Sequence, residues 1–352
     1  MRIESIQEVI LGVDTHLDVH VGVIISEIGQ LLGTRSVSAS TAGYLDLLNW
    51  ASSFGVLTRA GVEGTGTYGA GLCRLLLDHG ITVLEVNRPD RAKRRQQGKS
   101  DPTDAESAAR AVLSGIATAI PKQQSGACEA MRIVSVARRS AVKDKTQTIN
   151  QLRALLVSAP QDIRERLWRA KTDDCVKACA KVRNLGDSVL LQALSSTLRS
   201  LAKRWLTLAA ELDQFDRQLD ALTRKHARQL RSRFGVGPHT AAILLSVAGD
   251  NPDRLKNEAA LASLCGVNPL PAYSGKTTRH RLNRGGSRAA NNALWTIAMV
   301  RMRSDPRTRT YVNRRTTEGL TPKEVHRCLK RYIVRELFPL IVGDLGELRS
   351  SP

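Results

Sequence analysis

Acidic residues are scarce: 33 Asp and Glu stand against 53 Lys and Arg in 352 residues, a net charge of +20. That deficit argues against a cationic partner and points to a polyanion, of which phosphate backbone is the commonest. Aromatics are scarcer still at 4%. Base stacking on an aromatic platform is therefore not the expected mode of contact, and phosphate contacts should dominate. No apolar run approaches the length of a membrane-spanning helix, which argues against a membrane protein. The first eight residues are polar and lack the apolar stretch of a secretory leader, so the expected location is the cytoplasm. Six cysteines occur, with Cys175 and Cys179 four apart, yet no second pair or His pair completes a zinc site. All six read as reduced, structural thiols. What remains is ordinary: 42% hydrophobic residues and a length sufficient for two or three domains.

The first third alternates short apolar runs with helical patterns. Strands are expected at residues 9–14, 19–25 and 30–38, joined by tight turns as an antiparallel meander. A helix at 41–53, a strand at 59–63, a helix at 69–79 and a strand at 81–86 complete the order β-β-β-α-β-α-β. This is mixed α/β and fits a ribonuclease-H-like fold.

Carboxylates punctuate that order. Asp14 ends the first strand and Glu63 ends the fourth, just before Gly-Thr-Gly-Thr-Tyr. Lys99-Ser-Asp101-Pro-Thr-Asp104 then opens a helix running to about residue 114. Asp101 and Asp104, three apart, share a helical face. In a ribonuclease-H-like sheet the first and fourth strands are neighbours and the last helix lies against them. The four carboxylates would converge as hard oxygen ligands for Mg²⁺ or Mn²⁺. Taken alone, Asp-Pro-Thr-Asp is also a good helix start, with Asp101 as cap and Pro102 at the first helical position. Asp18, Glu85 and Asp90 are the nearest substitute ligands. The segment before Asp101 is crowded with cations, Arg94, Arg95 and Lys99 among them, and reads as a phosphate-binding loop.

A basic helix is expected over 127–157, broken near Pro160. Leu194, Leu198, Leu201, Trp205, Leu208, Leu212, Phe215, Leu219 and Leu222 then follow alternating steps of four and three. This heptad seam predicts a coiled coil through which the chain self-associates as a dimer or tetramer, with packing inside one chain as the alternative. The expected domains are 1–122, 123–231 and 232–352.

The last domain should be mainly helical. Phe234-Gly235-Val236-Gly237-Pro238 resembles the hairpin of a helix-hairpin-helix motif, whose turn amides hold a phosphate. Between residues 259 and 304 there is no Asp or Glu at all. Within this stretch Tyr273 and Ser274 precede Gly275, and Lys276, Arg279, Arg281, Arg284 and Arg288 follow. A hydroxyl among uncompensated cations suits attack on a phosphodiester, and either Tyr273 or Ser274 could supply it.

Three matched regions resemble one family, the insertion-sequence transposases known as IS one-ten or DEDD transposases. They are Gly12-Val-Asp14 with Val62-Glu63-Gly-Thr-Gly-Thr-Tyr68; Lys99-Ser-Asp101-Pro-Thr-Asp104-Ala105; and the run from Gly235 through Leu264-Cys-Gly-Val-Asn-Pro269, Tyr273-Ser-Gly275 and Asn283-Arg-Gly-Gly286 to Leu294. The resemblance implies a RuvC-like domain with Asp14, Glu63, Asp101 and Asp104 as its acidic tetrad. It further implies a coiled-coil linker, a transposase domain with Ser274 as nucleophile, and a noncoding bridge RNA that pairs with donor and target DNA. A bacterial, nucleoid-associated location follows from the same resemblance. The rival expectation is a metal-dependent, junction-resolving endonuclease using water and no covalent step.

Overall fold

A computed structural model of the chain describes residues 7–86, 100–274 and 277–350. The chain divides into two compact units: residues 1–126 with 249–256, and residues 127–248 with 257–352. The expected boundary at 122 falls four residues from the first junction. The expected boundary at 231 lies inside the second unit.

The first unit is a mixed α/β layer. Strands β1 (Glu8–Thr15), β2 (Val19–Ser26) and β3 (Leu31–Ser38) form the antiparallel meander. Helix α1 (Thr41–Ser52) leads to β4 (Val56–Glu63), and α2 (Ala70–Asp78) leads to β5 (Thr82–Val86). Both β4 and β5 pair in parallel, giving the order β3-β2-β1-β4-β5. The first and fourth strands are neighbours, as expected. Strand β1 is central and buried on both faces, which explains its unbroken apolar run. Val9, Leu11 and Val13 join the core that Leu47, Leu72 and Leu76 of the two helices complete. Ile10 faces the other side, where it meets Ala105, Ala109 and Val112 of α3 (Asp101–Leu113). Residues 249–256 fasten to this unit through Asn251 and Arg254, which donate to the carbonyls of Pro121 and Ile120 at 2.9 and 3.0 Å.

The second unit is dominated by two long helices, α4 (Ala127–Ser158) and, after the short α5 (Gln161–Leu167) and α6 (Thr172–Ala180), α7 (Val189–His226). The heptad seam is present but is covered from within. Leu194, Leu198 and Trp205 are buried with Leu152 and Leu156 of α4 and with Cys175, Val176 and Cys179 of α6. Further along, Leu208 and Leu212 close on Ala141. Much of the seam thus packs inside one chain, the alternative expected from the sequence, because the break at Pro160 lets α4 fold back along α7. Leu198→Ala should cost about 2–5 kcal/mol in chemical denaturation, since its side chain is fully buried. The six cysteines are unpaired, and burial pushes the Cys179 thiol up to about 12, consistent with structural thiols.

The rest of the unit consists of α8 (Arg228–Arg231), α9 (Pro238–Ala248), α10 (Glu258–Leu264), α11 (Arg288–Ser304), α12 (Pro306–Thr317) and α13 (Pro322–Ser350). A feature not foreseen in this mainly helical part is an antiparallel hairpin of β6 (Pro269–Ser274) and β7 (Thr277–Leu282). Among the described residues, no helix is long and apolar enough to cross a membrane.

Candidate functional site

The carboxylate site is built by close approach of a helix to a sheet. Gly12 of β1 and Gly61 of β4 are register partners. A Cβ on Gly12 would lie 2.0 Å from the Ala105 carbonyl oxygen, and one on Gly61 would lie 2.6 Å from that of Ala108. Only glycine lets α3 sit this low on the sheet. Two residues beyond Gly12, Asp14 lies on the same face of β1. One turn before Ala105 and Ala108 come Asp101 and Asp104, so helix and strand run in opposite senses and their acidic ends meet. Alternation along β4 puts Glu63 on that face too. Its backbone is pinned where the hydroxyl of Thr15 donates to the Glu63 carbonyl at 2.8 Å.

The helix start differs in detail from the expectation. Ser100, with extended φ and ψ, is the cap, and Asp101 and Pro102 are already helical. Asp101 is thus in the first turn, where the positive end of the helix favours a carboxylate.

His16, which the sequence reading passed over, completes the cluster. Its Nε2 lies 3.2 Å from Asp14 Oδ2 and 3.4 Å from Asp101 Oδ1. One ligand atom from each of Asp14, His16 and Asp101 can be chosen so that all lie within 4.8 Å of one another. The available signal was Asp14-Thr-His16, an alternation that returns both side chains to one face of a strand end. Burial pushes the Asp14 carboxyl up from its ordinary value; His16 opposes this, while the charges of Asp101 and Asp104 add to it. Asp14 is nearly inaccessible, whereas about half of each of the His16 and Asp101 side chains is exposed. A buried carboxylate crowded by two others is a donor set that a hard divalent cation relieves, and the exposed side gives it a way in. Asp14, His16 and Asp101 are therefore the donor set that fits a metal, while Asp104 acts on Asp14 through its charge and lies outside the 4.8 Å group. Glu63 shares the sheet end but lies outside the 4.8 Å group. Of the substitutes, Asp18 and Glu85 do not enter that group, and Asp90 lies outside the described residues.

Gly12→Ala tests the close approach. The added methyl forces α3 off the sheet, which should cost about 1–3 kcal/mol or more in thermal unfolding and weaken Mg²⁺ binding by calorimetry.

In the second unit, Tyr273 and Ser274 end β6, opposite Thr278 and Thr277. Tyr273 is 61% exposed and its ring meets His280 edge-on at 6.2 Å. Arg281, Arg284 and Arg288 border a cavity at the hairpin's root. Arg94, Arg95, Lys99 and Lys276 lie outside the described residues, and of Arg279 only the backbone is described. The glycine turn at 235–237 is tied into its own unit. Gly235 has a φ of +83° and sits against Ile297 and Arg301, and the Gly237 amide donates to Thr240 Oγ1 at 3.0 Å.

Two family models match the chain. A DEDD transposase model of the IS110 type covers residues 11–159, and the model described as "Transposase IS116/IS110/IS902 family" covers residues 227–313. The chain belongs to the IS110 family of transposases. The first match contains the four carboxylates, and the second contains Ser274 with its hairpin. The IS110 assignment is joined by similarity to the "Insertion element IS900 uncharacterized 42 kDa protein" of Mycobacterium paratuberculosis. The two are 29% identical over 160 residues, which is 44% of this chain and 40% of that protein. The shared part thus spans less than half of that relative's length.

Proposed function

We propose that this IS110-family chain is a DNA recombinase that cuts and rejoins strands through a covalent phosphoserine, moving an insertion sequence between donor and target DNA. The approach of Asp14 to Asp101, with the charge of Asp104 felt at Asp14, beneath a helix seated on paired glycines carries the reading, because clustered carboxylates suit a phosphoryl-transfer metal. The sheet order supports a ribonuclease-H-like, RuvC-type domain for the first unit. Asp14, Asp101 and Asp104, with Glu63 at the same sheet end, would hold Mg²⁺ or Mn²⁺. Bound there, the ion supplies Lewis-acid polarisation of a phosphate oxygen.

Ser274 supplies the nucleophile. Its Oγ forms a bond to a DNA phosphorus as the bond from phosphorus to the 3′-oxygen breaks. The serine proton is lost to a base, and the leaving 3′-oxygen gains one. A 3′-hydroxyl of the exchanged strand then attacks the same phosphorus, releases Ser274 and reseals the DNA. Arg279, Arg281, Arg284 and Arg288, with Lys276, neutralise phosphate charge, as do Arg94, Arg95 and Lys99 ahead of the carboxylates. Of the glycine turn, Gly235 is assigned a backbone phosphate contact, the Gly237 amide being taken by Thr240. Family membership further supports guidance by a noncoding bridge RNA and action as a homo-oligomer.

Incubation with DNA carrying the element's ends, in Mg²⁺, tests the reading. The expected product is a protein–DNA adduct that survives denaturing electrophoresis and is destroyed by protease. Cleaved DNA with no adduct would instead support the junction-resolving endonuclease.

A further inference from the structure

The second unit contains a cavity of about 970 Å³ between the root of the β6–β7 hairpin, the start of α11 and one side of α13. Its charge is lopsided. Arg281, Arg284 and Arg288 line it, and among the described residues no carboxylate bridges any of the three. The acid in its wall, Glu324, is occupied: its Oε2 accepts from the amide and hydroxyl of Thr321 at 2.8 and 2.7 Å. Along α13 the charge is partly offset. Arg331 pairs with Glu258 in bidentate fashion, Arg335 lies 3.6 Å from the same carboxylate, and Lys330 donates to Asn291 at 2.8 Å. Cations thus lie on both sides: Arg281, Arg284 and Arg288 at the hairpin, and Arg327, Lys330, Arg331 and Arg335 on the helical wall, where one carboxylate, Glu258, offsets the last two.

That wall also carries aromatic rings, unusual in a chain so poor in them. Trp295 of α11 is 46% exposed and lies nearly parallel to the His326 imidazole, 19° between planes and 6.0 Å between centroids. Burial and Lys330 hold His326 below its ordinary titration range, so the ring behind Trp295 is uncharged near neutral pH. Tyr332 of α13 is 54% exposed and steadied edge-on by Tyr311 at 5.7 Å. Both residues line the cavity. The amides nearby are largely committed to scaffolding: Asn283 binds Ser263 and Asn268, and Asn291 binds the carbonyls of Cys265 and Gly266.

We propose that this cavity is a receptor for one unpaired nucleotide, its base stacked against Trp295 or Tyr332 and its flanking phosphates held by Arg281, Arg284 and Arg288. A base inside a duplex is stacked on its neighbours and offers no face to such a wall, so the ligand is a nucleotide swung out of a helix or part of a single strand. Stacking without a set of free amides gives tolerance of base identity. The cavity would anchor a strand beside the hairpin: Ser274 lies three residues, roughly 10 Å, beyond the Pro271–His280 pair. The inference shares with the proposed function only the class of ligand and does not depend on which hydroxyl attacks.

Fluorescence anisotropy with the full chain tests it. The probes are a short duplex with one unpaired pyrimidine and the same duplex with an abasic residue there, each made as DNA and as RNA. The base should improve affinity roughly tenfold. Tyr332→Ala, or Trp295→Phe with its milder change in packing, should shrink that advantage while leaving abasic binding alone. Tryptophan emission should fall on binding the base-containing probe in the native chain and not in Trp295→Phe. A base effect confined to one backbone identifies the ligand as RNA or DNA and supports the pocket either way. Equal affinity for base-containing and abasic probes would overturn the pocket but not the recombinase reading. Failure to bind any probe would likewise overturn the pocket, while the recombinase reading stands or falls on the adduct with the element's ends.

Discussion

Ser274→Ala protein is expected to bind its DNA as tightly as the native chain and to form no covalent adduct with it. Strand exchange should fall by three orders of magnitude or more, roughly the cost of removing a covalent nucleophile. The reasoning is local. Ser274 ends β6 one residue before a segment that carries Lys276 and Arg279 and has no acid on either side. A serine hydroxyl in so basic a stretch would suit phosphoryl attack, which calls for cations around the charge that develops on phosphorus. Tyr273 is the adjacent residue with a second candidate hydroxyl, and its exposed ring rests edge-on against His280. Tyr273→Phe should therefore retain the adduct. An adduct that survives in Ser274→Ala and disappears in Tyr273→Phe would move the nucleophile by one residue. Adduct formation in both variants would remove both from the role. Binding measured alongside separates loss of chemistry from loss of fold.

Asp14→Asn is expected to have opposite effects on stability and activity. Burial raises the Asp14 carboxyl above the usual aspartate value of 3.8, opposed by His16 and reinforced by Asp101 and Asp104. A raised pKa means that the folded chain holds this proton more tightly than the unfolded chain. The stability it contributes is fully present below 3.8 and is lost as pH rises through the higher folded value. At neutral pH the ionised carboxylate therefore costs stability unless a cation sits beside it. In chelator at neutral pH, Asp14→Asn should raise the melting temperature, and the gain should vanish at acidic pH where the native aspartate is protonated. Mg²⁺ should reverse the order, stabilising the native chain by about 2–3 kcal/mol at a hundredfold excess over its dissociation constant and leaving the variant unmoved. Adduct formation in Mg²⁺ should be lost in the same variant. A native chain whose melting temperature ignores Mg²⁺ and Mn²⁺ would remove the metal from the site.

Much of the first unit was legible because its elements are short and their signals local. The apolar runs of β1 and β2, the polar turn between them and the helix that follows were each placed within a few residues, and strand order followed from their sequence. Asp14 and Glu63 could be picked out for the same reason, since both come at strand ends, and of the four carboxylates Asp14 and Asp101 fall within the 4.8 Å group. The cap at Ser100 was missed by one position because Asp and Ser cap equally well and only backbone geometry distinguishes them. His16 was missed because a lone histidine after a strand carries no pattern; its role exists only once α3 brings Asp101 within reach.

By itself, the sequence determined the strand meander, the pairing of the first strand with the fourth, the basic stretch around Ser274 and, through the joint order of its motifs, the family. Periodicity, turn chemistry and charge are properties of the chain read in line, and they survive without contacts. Tertiary structure alone decided what each face meets. The heptad seam says that Leu198 and Leu212 must be buried but not by what, and the answer was α4 of the same chain. Few aromatics argued against base stacking, yet composition counts rings and does not place them. Folding brings Trp295 and Tyr332, 37 positions apart in the sequence, to one basic cavity. Gly12 and Gly61 read as small residues in two strands; as register partners under α3 they set the distance at which Asp14 meets Asp101.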